Sequence, residues 1–241
     1  MQGTASVRRV TSLSFANQQI GVLTDSDSLL FRTSDAGATW EKIDVGNNSL
    51  VQAVSLYQEV GVMFCKNDQI LTSSDQGITW DSVAAKEFST VRVNDVLAMD
   101  EEHYLVFGGF GASKPIGFSS NAGRTWRYSI PFLSNDQMEF LDAAVASNGA
   151  VLLVGNFSTI LRSEDGGKNW QVRSNSVLTT NNGQFPYLAG ISFATDSIAI
   201  AVVAGATDNF SWLKTSDAGT TWQYQRQTLG SVSSIAFLYD L

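Results

Sequence analysis

An eight-residue phrase recurs five times along this chain, and no other feature limits its fold as tightly. The first copy is Thr33-Ser-Asp35-Ala-Gly37-Ala-Thr39-Trp40, and the others occupy residues 73–80, 119–126, 163–170 and 215–222. Each reads Ser/Thr-x-Asp-x-Gly-x-Thr-Trp, except that Asn121 replaces the Asp of the third and Asn169 the Thr of the fourth. From Asp35 through Asp75, Asn121 and Asp165 to Asp217, the steps are 40, 46, 44 and 52 residues. A period of that length marks one supersecondary unit stacked on copies of itself.

Between the phrases the texture is that of β-strands. Residues 10–15, 20–24 and 29–33 precede the first copy and 40–43 follow it, all short β-branched or aromatic stretches broken by Asn, Asp, Gly and Gln. The unit restarts near Leu50, Val91, Met138 and Tyr187, and no window sustains the apolar spacing of three and four that a helix needs. Four strands per repeat is the arithmetic of a propeller blade. The chain is therefore expected to be one all-β domain over 1–241, a β-propeller of four-stranded antiparallel blades. The blades fall near 5–46, 47–87, 88–134, 135–182 and 183–229, with one extra strand at 231–241.

The phrase itself suits a turn between a blade's third and fourth strands. A carboxylate there accepts hydrogen bonds from its own backbone N–H groups, and glycine supplies a positive φ. Tryptophan then re-enters the strand with a large apolar face. The expected staples are Asp35, Gly37 and Trp40; Asp75, Gly77 and Trp80; Asn121, Gly123 and Trp126; Asp165, Gly167 and Trp170; Asp217, Gly219 and Trp222. None of these loops brings the oxygen ligands of a calcium site, so no metal is expected.

Composition excludes several function classes. Fifteen Lys and Arg against 23 Asp and Glu leave a net charge of -8, which argues against nucleic-acid binding and against a polybasic membrane surface. No apolar run reaches the ~18 residues of a membrane span. The one cysteine, Cys65, rules out an intrachain disulfide and a cysteine zinc site; within 60–65, a buried second strand, it reads as a core thiol. His103, the one histidine, reads as a partly buried strand residue, and Asp100-Glu101-Glu102 as a solvated turn. No cofactor is expected. The opening Met-Gln-Gly-Thr-Ala-Ser lacks the features of a signal peptide, while a surface of Ser, Thr, Asn and Gln leans towards an extracytoplasmic or virion setting. Sequons at Asn47, Asn156 and Asn209 are no more than this composition produces by chance.

The repeated residues resemble the Asp-box, or bacterial neuraminidase repeat. Sialidases, sortilin-type receptors, some glycoside hydrolases and photosystem II stability/assembly-factor propellers share it, and the texture of 158–170 is most similar to the last group. The resemblance implies a propeller with structural boxes and leaves function open. A sialidase would need an arginine triad, a Tyr/Glu pair and an acid/base Asp. The Arg-Ile-Pro phrase of that family is absent, Arg32 and Arg162 fall on third strands beside boxes, and Arg8 and Arg9 precede the first strand. Assembly-factor propellers of this kind have seven blades and sialidases six, so five boxes mean either a closed five-bladed ring or a part of a larger propeller, and the closed ring is the expectation. Its clasp would be 231–241, docked at the seam between blades 1 and 5.

Length differences between repeats mark the display face. Extra residues fall in 108–115, 131–137, 174–186 and 205–212, all on the face opposite the boxes because strands alternate in direction. They gather Phe110, Phe132, Phe185, Tyr187, Phe210 and Trp212 in blades 3 to 5. Trp212 and Phe110, on glycine-bounded loops, are the main expected contacts; Tyr187, heading a strand, is the one most expected in the core. The reading is a non-catalytic binding or assembly protein for a protein surface or a glycan. The alternatives are an Asp-box glycoside hydrolase using two carboxylates, and a virion or cell-surface adhesin. Deleting 231–241 should lower the melting temperature or cause aggregation by baring a strand edge; an unchanged, soluble melt would show that this segment is no clasp.

Overall fold

Antiparallel strands need only tight turns between them, and the turn residues of this chain are spaced to supply them. The computed structural model describes residues 8–46, 50–83, 93–109, 116–129, 138–173, 186–204 and 210–227. Among these residues there are twenty strands and no helix, and the strands form five four-stranded sheets, each a simple meander. These are the blades of a β-propeller, as the repeats predict. The segment 231–241 lies outside the described residues.

The chain divides into two compact units. Met1–Phe107 with Pro115–Tyr128 makes up the first and holds three blades. These are β1 (Val10–Phe15), β2 (Gly21–Asp25), β3 (Leu30–Thr33) and β4 (Glu41–Ile43); β5 (Val51–Tyr57), β6 (Val60–Cys65), β7 (Ile70–Ser73) and β8 (Asp81–Val83); and β9 (Val93–Ala98), β10 (His103–Gly108), β11 (Ile116–Ser120) and β12 (Arg127–Ser129). Gly108–Lys114 with Ser129–Leu241 makes up the second. It holds β13 (Phe140–Val145), β14 (Val151–Gly155), β15 (Ile160–Ser163) and β16 (Gln171–Val172), then β17 (Tyr187–Phe193), β18 (Ala199–Ala204), β19 (Phe210–Thr215) and β20 (Gln223–Gln227).

Each box closes the turn from third to fourth strand. In the first, Asp35 Oδ1 accepts the Thr39 N–H at 2.8 Å, and the Thr39 hydroxyl donates to Oδ2 at 2.6 Å. The leading hydroxyl is equally busy: Thr33 Oγ1 accepts the Gly37 N–H at 2.9 Å and donates to Asp35 at 2.7 Å. The substituted boxes keep the closure, the third by reversing the donor and the fourth by replacing a hydroxyl donor with an amide. Asn121 donates to Thr125 Oγ1 at 2.8 Å, and Asn169 donates to Asp165 at 2.6 Å. Glycine was expected to be the left-handed residue, yet the residue before it is left-handed too: Ala36, Gln76, Ala122, Gly166 and Ala218 have φ from 53° to 69°. Two such residues in succession, closed by bonds such as Ala38 N–H to Asp35 O at 3.2 Å, give the turn that matches the twist of a hairpin. The Trp80, Trp126 and Trp222 indoles donate back to the carbonyl of their own box glycine, at 2.9–3.1 Å. Hydrogen bonds from the Thr39 hydroxyl, the Thr39 N–H and the Thr33 hydroxyl lower the Asp35 pKa to about 2. At Asp75 and Asp217 burial opposes the same bonds and loses, so both carboxyls stay below the usual range.

Neighbouring blades within a unit share apolar layers. Val22 and Leu30 meet Val54, Leu56 and Met63, and Val62, Phe64 and Ile70 meet Val96, Tyr104 and Val106. In the second unit Leu152, Val154 and Ile160 meet Ile191, Phe193 and Leu213. The second strand β6 is thus covered on both faces, which explains its nearly unbroken apolar run and places Cys65 fully in the core. First strands are stitched by side chains. Ser14 Oγ accepts the Leu56 N–H at 2.9 Å, and Ser55 Oγ accepts the Ala98 N–H at 3.0 Å. Asp142 Oδ2 accepts the Ile191 N–H at 2.8 Å, and its Oδ1 accepts its neighbour Ala143 at 2.8 Å. Third strands reach forward as well: Arg32 Nε donates to Gln76 O at 2.9 Å, and Arg162 Nε to Ala218 O at 2.7 Å.

These contacts carry measurable consequences. Asp75→Ala and Asp217→Ala should each lower stability by about 1–2 kcal/mol, because turn N–H groups lose their acceptor. Denaturant melts check this, and native stability would refute the staple. Asp142 has the opposite electrostatics: burial outweighs its two N–H partners and raises its pKa to about 6. The folded state then holds a proton that the unfolded chain releases near pH 4, so this group's contribution to stability falls as pH rises from 4 to 6. Asp142→Asn should gain on the wild type by about 2 kcal/mol between pH 4 and pH 7. Parallel melts at the two pH values measure this gain without regard to any constant penalty of the substitution.

Candidate functional site

The turn between β14 and β15 has no length anomaly; it is as long as its counterparts in blades 1 and 2. Its chemistry differs. Asp27 and Asn67 stand where blade 4 has Phe157, and Phe157 and Ser158 are both left-handed, with φ of 53° and 55°. A bulky side chain in that region is a genuine outlier and needs outside support. Support comes from both sides. Asn156 Oδ1 accepts the Glu139 N–H at 2.8 Å, and the Asn156 N–H donates to Glu139 O at 2.9 Å. Ser158 donates twice to Pro186 O, through its N–H at 2.9 Å and its hydroxyl at 3.2 Å. Only glycine fits at 155, where a Cβ would fall 2.0 Å from Glu139 O. The result is a tied turn that shows Phe157 37% exposed, beside the head of β17, where Tyr187 is 53% exposed.

Tyr187 was the aromatic most expected in the core, and the structure turns it outward: Leu188, next along, takes the buried position. Trp212, expected on a glycine-bounded loop, lies inside β19 opposite Val202 and Gln225 and is half-buried. The strand starts at Phe210, so the loop after Gly205 is shorter than the sequence implied. Phe110, Phe132 and Phe185 lie outside the described residues, as does the side chain of Phe210. Sequence reasoning missed Phe157 because it looked for extra length. An aromatic in a turn that elsewhere holds Asp or Asn was the available signal.

The carboxylates do not converge on a reactive centre among the described residues. Asp142 carries the raised pKa, but both of its oxygens are engaged by backbone N–H groups. Asp100 closes its own turn, accepting the Glu102 and His103 N–H groups at 2.8 Å, and the His103 ring bonds Asp100 while stacking on Phe118. Among the described residues no group of three or more His, Cys, Asp or Glu could hold a metal ion. What the geometry offers is contact area: two exposed rings, on tied backbone, at the strand ends opposite the boxes.

No curated protein matches the sequence. Among solved structures the chain is similar to YCF48 bound to D1 peptide, at 16% identity over 91% of this chain and 83% of that one, with a TM-score of 0.62. YCF48 from Cyanidioschyzon merolae matches at 15% identity over 93% and 87%, with a TM-score of 0.57. The GH74 enzyme of Niastella koreensis gives a TM-score of 0.74 at 13% identity, over 95% of this chain and 42% of that one. Likeness at these identities speaks for the fold. The family model of the photosynthesis system II assembly factor YCF48 matches residues 4–131 and 133–235, and the chain therefore belongs to this family of BNR-repeat β-propellers.

Proposed function

We propose that this chain is a non-catalytic binding and assembly protein that holds a protein segment on the loop face opposite the Asp boxes. The observation that carries the reading is the pair Phe157 and Tyr187, both exposed and borne on neighbouring backbone that the Ser158–Pro186 bonds tie together. Rings on tied backbone supply contact area at little entropic cost. Family membership supports the same reading, since one YCF48 structure has a peptide bound. The length differences of blades 3 to 5 add Phe110, Phe132, Phe185 and Phe210 as further contacts on this face.

The first step is to screen the purified chain against a library of extended peptides and a glycan array. A peptide hit, with Phe157→Ala and Tyr187→Ala each weakening it by about 1–3 kcal/mol and leaving the melt unchanged, is the expected result. Ile78→Ala, at an exposed position of the second box, should change nothing. A glycan hit without a peptide hit would replace the partner class. A footprint on the box side would refute the assignment of the face.

A further inference from the structure

The serines that tie first strands together in blades 1 and 2 have no counterpart in blade 4. Ser12 and Ser14 of β1 accept the Val54 and Leu56 N–H groups of β5, at 3.3 and 2.9 Å, and Ser55 accepts the Ala98 N–H at 3.0 Å. By register Asp142 holds the place of Ser12, and Ala144 that of Ser14 and Ser55. Among the described residues, that leaves Asp142 to tie β13 to β17, through the Ile191 N–H at 2.8 Å. Serine does this without charge: Ser12 Oγ both accepts the Val54 N–H and donates to Val54 O. A carboxyl offers a donor as well only while it is protonated. The strands packed on β13 bring no charge to offset an anion, since the one titratable side chain of β14 and β17 is Tyr187, exposed at the head of β17. The other charged groups along this seam are engaged elsewhere, Arg162 with Ala218 O and Asp196 with Ser147.

We propose that the seam between blades 4 and 5 is a proton-sensitive joint, latched by Asp142, which opens more readily as pH rises. Desolvation raises the pKa of the folded carboxyl to about 6 against its two N–H bonds, whereas a carboxyl rehydrated by opening titrates near 4. Closure therefore takes up a proton between these values. The closed joint has its full strength below pH 4, weakens by up to about tenfold per pH unit as pH rises towards 6, and levels off above it. Phe157 and Tyr187 stand on opposite sides of the seam, one on blade 4 and one on blade 5. Opening parts the pair, a consequence that rests on the binding function proposed above.

Amide exchange resolved residue by residue tests the joint with no partner present, so it can fail while the binding function stands. Once corrected for intrinsic rates, protection of the Ile191 amide should fall by about tenfold from pH 5 to pH 7. The Leu56 and Ala98 amides, bonded to serine, should keep theirs within about twofold. In Asp142→Asn the fall at Ile191 should vanish; Asp142→Ser, which restores the residue of blade 1, takes its place if the amide variant does not fold. Thiol labelling of Ala201→Cys in a Cys65→Ala background separates opening of the joint from rotation of one side chain, because Ala201 is fully buried in the apolar layer of this seam. Its labelling rate, corrected for thiolate fraction, should rise by about tenfold over the same range. Constant protection at Ile191, a fall that persists without the carboxyl, a constant labelling rate, or an equal fall at Leu56 and Ala98 each overturns the proposal.

Discussion

The first strand of every blade has one edge paired to the second strand and one edge bare, and bare N–H groups are costly when buried and adhesive when exposed. This chain meets the constraint with short oxygen side chains. Ser14, Ser55 and Asp142 each stand beside the next first strand and accept one of its N–H groups. The apolar layers between blades form around these contacts. The device fixes register as well, since a slip of one residue would turn every acceptor away from its donor and every apolar side chain out of the layer. Serine does this without charge. Asp142 does it with a carboxyl whose burial costs more than its bonds return.

Much of the fold was legible because the boxes are local. The closing bonds of Asp35 or Asp217 run over four residues, so their chemistry shows in any eight-residue window. The strand positions followed from alternation, and the predicted buried run at 60–65 is β6 itself. What stayed hidden depends on partners distant in sequence. The Ser14 acceptor serves a residue 42 positions away, and nothing near Asp142 announces that Ile191 will bond it. The second left-handed residue of each box was also invisible, because Ala36 and Gln76 look ordinary in sequence and are forced by the closure around them.

The site was less legible for a similar reason. Length anomalies pointed to the side of the blades opposite the boxes and named Tyr187, but they mistook its burial. The position of Trp212 is set by its rung across β18 and β20, which composition around Gly205 does not reveal. Phe157 sits in a turn of ordinary length, and its display depends on Pro186 and Glu139, each 18 or more residues away in sequence.

The turn that carries Phe157 also bears on covalent modification. Asn156-Phe-Ser158 spells an N-glycosylation sequon, and in a secretory compartment the written sequence would invite a sugar. In the folded chain Asn156 is 5% exposed and its carboxamide holds the start of β13 through Glu139. A glycan on that buried carboxamide would have to displace what surrounds it, so attachment competes with the closed turn. Sugar and closed turn are therefore rivals at this residue, and the fold weighs against the site that the sequence spells.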